Sequence, residues 1–155
     1  MKPIKLSLLI LALCGLVLSS CKKSSNPTPA AAVSMSLTFN GTAKNTNVVV
    51  ATYYTSENTL QLIGTFNTEA VSIMIQNIKT GTFTLPSDNV VATYSTADNF
   101  ADTYLGSTGS ITITSFTSDA VSGTFQFTGT NTSNANGVVT GGKFSAKLIK
   151  VAQQQ

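Results

Sequence analysis

The chain has 155 residues, with nine lysines, six acids and neither histidine nor arginine. Lys2, Lys5, Lys22 and Lys23 cluster at the N-terminus, so the remainder sets five lysines against six acids, and its near neutrality offers no basic stripe for a phosphate backbone; nucleic acid is not an expected partner. The only cysteines, Cys14 and Cys21, also lie near the start, so the residue types for Ser-His-Asp or Cys-His catalysis, His-based zinc sites and Cys-rich clusters are missing, no phosphate-binding glycine loop precedes a helix, and no cofactor is expected.

In chain order, Lys2 and Lys5 are followed by an apolar stretch from Leu6 to Leu18, the pattern of a signal peptide. It is shorter than the about 20 apolar residues needed to cross a bilayer. At its end Leu18-Ser19-Ser20-Cys21 resembles the lipobox of bacterial lipoproteins: a leucine, two small residues and a cysteine at the right distance from the apolar run. The resemblance implies that residues 1–20 are removed and that Cys21 carries diacylglycerol on sulfur and a further fatty acyl chain, such as palmitate, on its new amino group. Two or more chains attach stably to a membrane without spanning it, so the membrane is the first expected partner. Lys22 stands where an aspartate commonly causes inner-membrane retention, and Lys22 to Asn26 lacks the acidic tract of surface export. A periplasm-facing outer-membrane location is therefore expected, with surface exposure as the alternative.

Residues 21–33 read as the lipidated cysteine and a tether, since KKSSNPTPAAAV is rich in Ser, Pro and Ala without apolar periodicity. Lys22 and Lys23 are expected to be a solvated pair near anionic lipid. From Ser34 the pattern has period two. Met35, Leu37 and Phe39 alternate with polar residues; Val48 to Tyr54 is β-branched and aromatic; Leu60, Leu62 and Phe66 line one face, with Gly64 where a further apolar residue would fall. Val71, Ile73 and Ile75 follow the Asn67-Thr68-Glu69 turn; Phe83 and Leu85 precede Pro86; Val90, Ala92 and Tyr94 lead into a loop from Ser95 to Asp102. Ile111 and Ile113 open another strand, Val121, Gly123, Phe125 and Phe127 share one face of the next, and Phe144, Ala146 and Leu148 close the series.

Threonine occurs 24 times, all after Cys21, as suits the wet side of pleated strands. No window shows a helical period with caps. The expected fold is all-β: one antiparallel domain of eight or nine strands over residues 34–151, with a polar tail at 152–155. It is either a β-sandwich or a small up-and-down barrel, and the sequence leaves the two open.

The blocks Gly109-Ser110-Ile111-Thr112-Ile113-Thr114, Val121-Ser122-Gly123-Thr124-Phe125-Gln126-Phe127 and Gly141-Gly142-Lys143-Phe144-Ser145, preceded by Asn40-Gly41, resemble a family of small Bacteroidota lipoproteins of unknown function. The resemblance covers most of the mature chain, rests on strand residues and turn glycines, and implies no catalytic residue. Such proteins often carry a tryptophan shortly after Asn-Gly, where this chain has Lys44 and Asn45.

Two sets of side chains are candidates for a site. Tyr53, Tyr54, Tyr94 and Tyr104 have an apolar face and a polar tip suited to a glycan or an envelope protein; Tyr53 and Tyr54 are adjacent, so on a strand only one of them can face the core. Asp98 and Asp102, with Asn99, form the only close acidic pair: they are expected to serve turns, with a Ca2+ site and the two carboxylates of a glycoside hydrolase as the alternatives. The leading expectation is a non-enzymatic binding or accessory module held at the cell envelope. A lipocalin-like carrier of a small apolar ligand is the alternative, and it requires a barrel with an unfilled interior.

Overall fold

The computed structural model of the protein describes residues 32–96 and 102–152; the leader, the lipobox Leu18, Ser19, Ser20, Cys21, the tether to Ala31, and Asp98 and Asn99 lie outside the described residues. The described residues form ten strands: β1 (Ser34–Phe39), β2 (Thr42–Thr46), β3 (Val49–Tyr54), β4 (Thr59–Phe66), β5 (Glu69–Ile75), β6 (Gly81–Leu85), β7 (Val90–Ser95), β8 (Thr103–Phe116), β9 (Ala120–Thr130) and β10 (Asn136–Val151). That is one more than the eight or nine expected. The addition is β2, whose sequence TAKNT has no apolar alternation and which pairs only with β1.

Strands β3, β4, β5, β7, β8, β9 and β10 follow one another through hydrogen-bonded ladders, and β10 returns to β3 to close a seven-stranded mixed barrel. This decides between sandwich and barrel. A meander with an odd number of strands ends pointing the way it began, so the closing ladder has to be parallel; it joins Leu148–Val151 to Ala51–Tyr54. The expectation of a wholly antiparallel sheet is corrected at this seam.

The two longest strands also carry the strands outside the barrel. Beyond its short ladder with β7 at Thr103–Leu105, β8 takes β6 along Gly109–Ile113. On β10, β1 occupies the edge from Val139 to Ser145 and β3 takes over from Leu148. Register shifts at Gly106/Thr108 and Ile113/Ser115 on β8, and at Val139/Gly142 on β10, supply the bends that a closed sheet requires.

The alternating positions converge on one core. Leu60, Leu62, Val71, Ile73, Ile111, Phe125, Phe127 and Phe144 are buried in a single cluster that takes in Met35, Leu37 and Phe39 from β1. Phe125 and Phe127 share the inward face, as their spacing implies. Gly64 interrupts the apolar series of β4 for a steric reason: a Cβ there would collide with the sulfur of Met35. Among the described residues no buried side-chain nitrogen or oxygen lacks a hydrogen-bond partner.

Candidate functional site

One end of the barrel gathers charge and aromatic rings. It is built by the β1–β2 hairpin, whose turn at Asn40 and Gly41 has positive φ at both residues, 46° and 84°. Asn-Gly is the pair that a tight two-residue hairpin favours, because neither residue resists that backbone strongly. The turn is pinned to β10, where the Val138 N–H donates to Asn40 Oδ1 at 2.8 Å and the Asn40 N–H donates to the Val138 carbonyl at 3.0 Å. Pairing of Lys44 with Leu37 then puts Lys44 on the inward side of β2.

Glu69 opens β5 with the parity of Val71 and Ile73, so it too faces the barrel end. The Lys44 ammonium sits 2.5 Å from Glu69 Oε2, and the Tyr94 hydroxyl donates to the same oxygen at 3.1 Å. The two charged side chains are 20% and 23% exposed, whereas Tyr94 is fully buried. Beneath them Phe39 stacks on Tyr94 with ring centroids 4.1 Å apart and meets Tyr104 edge-on at 5.3 Å. Burial raises the Tyr94 hydroxyl pKa well above that of an ordinary tyrosine, and Glu69 pushes it further, as hydrogen-bond acceptor and as negative charge. Tyr94 therefore remains a donor, and the ion pair is held from below by a neutral phenol.

An open groove of about 550 Å³ runs beside this cluster between the β1–β2 hairpin and the β4–β5 turn. Asn45, Thr46, Thr65 and Asn67 line it with Lys44 and Glu69, and Val48 and Phe66 add apolar surface. Such a groove can offer hydrogen bonds of both senses, with one cation and one anion at its edge.

The four tyrosines fall in different places. Tyr94 and Tyr104 are directly paired across β7 and β8 and meet through Phe39. Tyr94 is withdrawn from any contact surface, since its ring is in the core. Tyr53 packs inward, edge-on to Phe116 at 5.2 Å, and its hydroxyl donates to Asn58 Oδ1 at 3.0 Å. Tyr54 points outward and donates to Gln61 Oε1 at 3.3 Å. Asp98 and Asn99 lie outside the described residues; Asp102 serves a turn, its carbonyl accepting from the Thr96 N–H at 3.2 Å. Among the described residues no three His, Cys, Asp or Glu side chains gather as a metal site.

Lys44 and Glu69 were not candidates on sequence. They are 25 positions apart and meet only because β2 folds back through Asn40-Gly41. The available signal was that dipeptide itself, which places the next five residues on a returning strand.

The fold and this end cluster define a small all-β barrel domain with an ion-paired, aromatic-backed rim. The chain belongs to the family of the domain of unknown function DUF6252, whose model matches residues 32–146. No curated protein and no solved structure matches it.

Proposed function

We propose that the protein is a lipid-anchored component of a bacterial cell envelope, held through Cys21, whose barrel is a non-enzymatic binding or accessory module. The observation that carries this reading is the interior, which side chains of the described residues fill. Inward side chains of the barrel strands and of β1 form a single core, so recognition falls to the outer surface. The groove beside Lys44 and Glu69 is where charge, hydrogen-bonding side chains and apolar surface meet on that exterior. Its lining suits an envelope glycan or a protein segment with polar side chains.

The carrier alternative calls for a closed barrel with room inside. The barrel is closed, but Tyr94, Phe39, Phe125 and Phe127 occupy its interior. The anchor rests on the lipobox Leu18-Ser19-Ser20-Cys21 and the length of the apolar run before it. Among the described residues no helix is long and apolar enough to cross a membrane.

The two halves of the reading are tested separately. Cys21→Ala should block processing or release the protein from the membrane fraction, whereas the wild type should stay there through a salt wash, because screening weakens charge attraction but not acyl burial. A photo-crosslinking residue at Asn45 or Asn67 should capture an envelope component, and one at Ser122, three strands from β2 on β9 and outside the groove lining, should not. Equal labelling at all three positions would rule out the groove as the binding site.

A further inference from the structure

The outer surface of the barrel has two unlike walls, and strand register makes the contrast explicit. Across β10, β3, β4, β5 and β7 one outward row reads Ile149, Thr52, Gln61, Met74, Val91. The next, across β3, β4, β5, β7 and β8, reads Val50, Ile63, Ser72, Thr93, Leu105. On the other side, the row through β2, β1, β10, β9, β8 and β6 reads Asn45, Ser36, Lys143, Thr124, Thr112, Thr82. Leu105 is 56% exposed, Ile149 54% and Val91 47%, and of the exposed large apolar side chains among the described residues all but Val138 lie on or beside the first wall. Exposed apolar side chains scattered singly need no explanation, but a set confined to one wall marks a contact surface.

We propose that this wall, formed by the outward faces of β3, β4, β5 and β7, rests on the lipid surface to which Cys21 is attached. The inference depends on the lipid-anchor reading above. Three features favour lipid as the occupant. The first is where the chain enters the domain: Ser34 sits on β10 opposite Ser145, and β3 takes over that same edge at Leu148. The tether thus joins the barrel about 10 Å from the first strand of the apolar wall, at roughly 3.3 Å per strand residue.

The second is reach. Cys21 and Ser34 are 13 residues apart, a separation that even full extension limits to about 45 Å. The barrel is therefore confined within about its own length of the bilayer, and a weak apolar contact is multiplied by the high effective concentration that a short connection provides.

The third is charge. Neither apolar row contains an acid, and Lys147 stands two residues before Ile149 on the outward side of β10. Tyr54, outward on β3 beside this row, has the amphipathic ring that suits a headgroup boundary. An interfacial wall of this kind dips into the headgroup region and does not span, and the Ser/Thr wall and its lysine then face the aqueous side.

Full-length lipidated protein in phosphatidylethanolamine and phosphatidylglycerol vesicles provides the test. With Cys21 acylated and Cys14 gone with the leader, a cysteine introduced at an exposed site is the sole free thiol for a nitroxide label. Circular dichroism confirms that each variant remains β-structured. At Val50→Cys and Val91→Cys the label should collide with oxygen in preference to a water-soluble nickel chelate, and at Thr124→Cys the preference should reverse, with the ratios differing about tenfold. Chelate-accessible labels on both walls of vesicle-bound protein would overturn the docking and leave the anchor standing. Labels at Val50 and Val91 shielded from both reagents would mean that a second copy covers the wall, which also overturns it. Protein that fails to stay with the vesicles would remove the anchor, and this inference with it.

Discussion

Tyr94 shows how much a single residue depends on neighbours that its sequence position does not reveal. Alternation with Val90 and Ala92 makes its inward direction legible, and the opposite facing of Tyr53 and Tyr54 was legible for the same reason. The acceptor for its hydroxyl was not, because Glu69 lies on another strand and is chosen by the pairing of β5 with β7. Since the folded state holds the Tyr94 proton more tightly than the unfolded chain does, its contribution to stability is complete below the ordinary tyrosine value of about 10 and is lost as pH rises through the folded value. Urea midpoints measured from pH 7 to 11 should fall above pH 10 for the wild type and fall less for Tyr94→Phe; parallel curves would show that this phenol does not carry the alkaline loss. Phe125 makes the complementary case, a side chain placed correctly by periodicity alone. It is 3% exposed, and Phe125→Ala should cost about 3 to 5 kcal/mol in urea unfolding. A loss below about 1 kcal/mol would mean that its burial is not what holds β9 to the core.

Among the elements, nine strands could be read from apolar alternation or from a β-branched and aromatic run, and the one that could not is the one that brings Lys44 to the site. β2 has no apolar side chain larger than Ala43, and its residues are exposed or half-buried. It is an edge strand, and an inward lysine on such a strand discourages pairing with another chain. What specifies it is the turn before it, not its own side chains. A Cβ on Gly41 would touch nothing within 4 Å, so a substitution there acts through the backbone, whose φ of 84° a β-branched residue resists. Gly41→Val should therefore cost about 1 to 3 kcal/mol, and Gly41→Asn, a residue that tolerates positive φ, should cost clearly less. Crosslinking from Asn45 should drop in step with the valine variant, since the same hairpin carries Lys44 and one side of the groove. Equal stability of the two variants would show that the turn does not depend on its left-handed backbone.

For the molecule as a whole, the choice between sandwich and barrel turns on one contact that no local pattern contains. Both architectures put alternating residues inside, and they differ only in whether the last strand finds the first of the meander. Here Leu148–Val151 meets Ala51–Tyr54, a pairing across most of the domain whose parallel sense follows from the odd number of barrel strands. The seam is short but well tied. Leu148 packs against the core, its N–H donates to the Asp119 carbonyl at 2.9 Å, and the Thr55 N–H donates to the Val151 carbonyl at 3.1 Å. A chain ending at Ala146 loses all of these and leaves β3 with an unpaired edge, which invites association with other chains. Burial of one leucine is worth about 1.5 to 3 kcal/mol when complete, and each hydrogen bond about 1 kcal/mol net. The truncated protein should thus be about 3 to 5 kcal/mol less stable, a large share of the roughly 5 to 15 kcal/mol that holds a domain of this size. It should also form oligomers at concentrations where the full domain is monomeric. Urea unfolding and sedimentation of the two chains test both effects. An unchanged midpoint with no added association would show that the barrel does not need its parallel seam, and that the ladders from β3 to β5 and from β8 to β10 are cooperative without it.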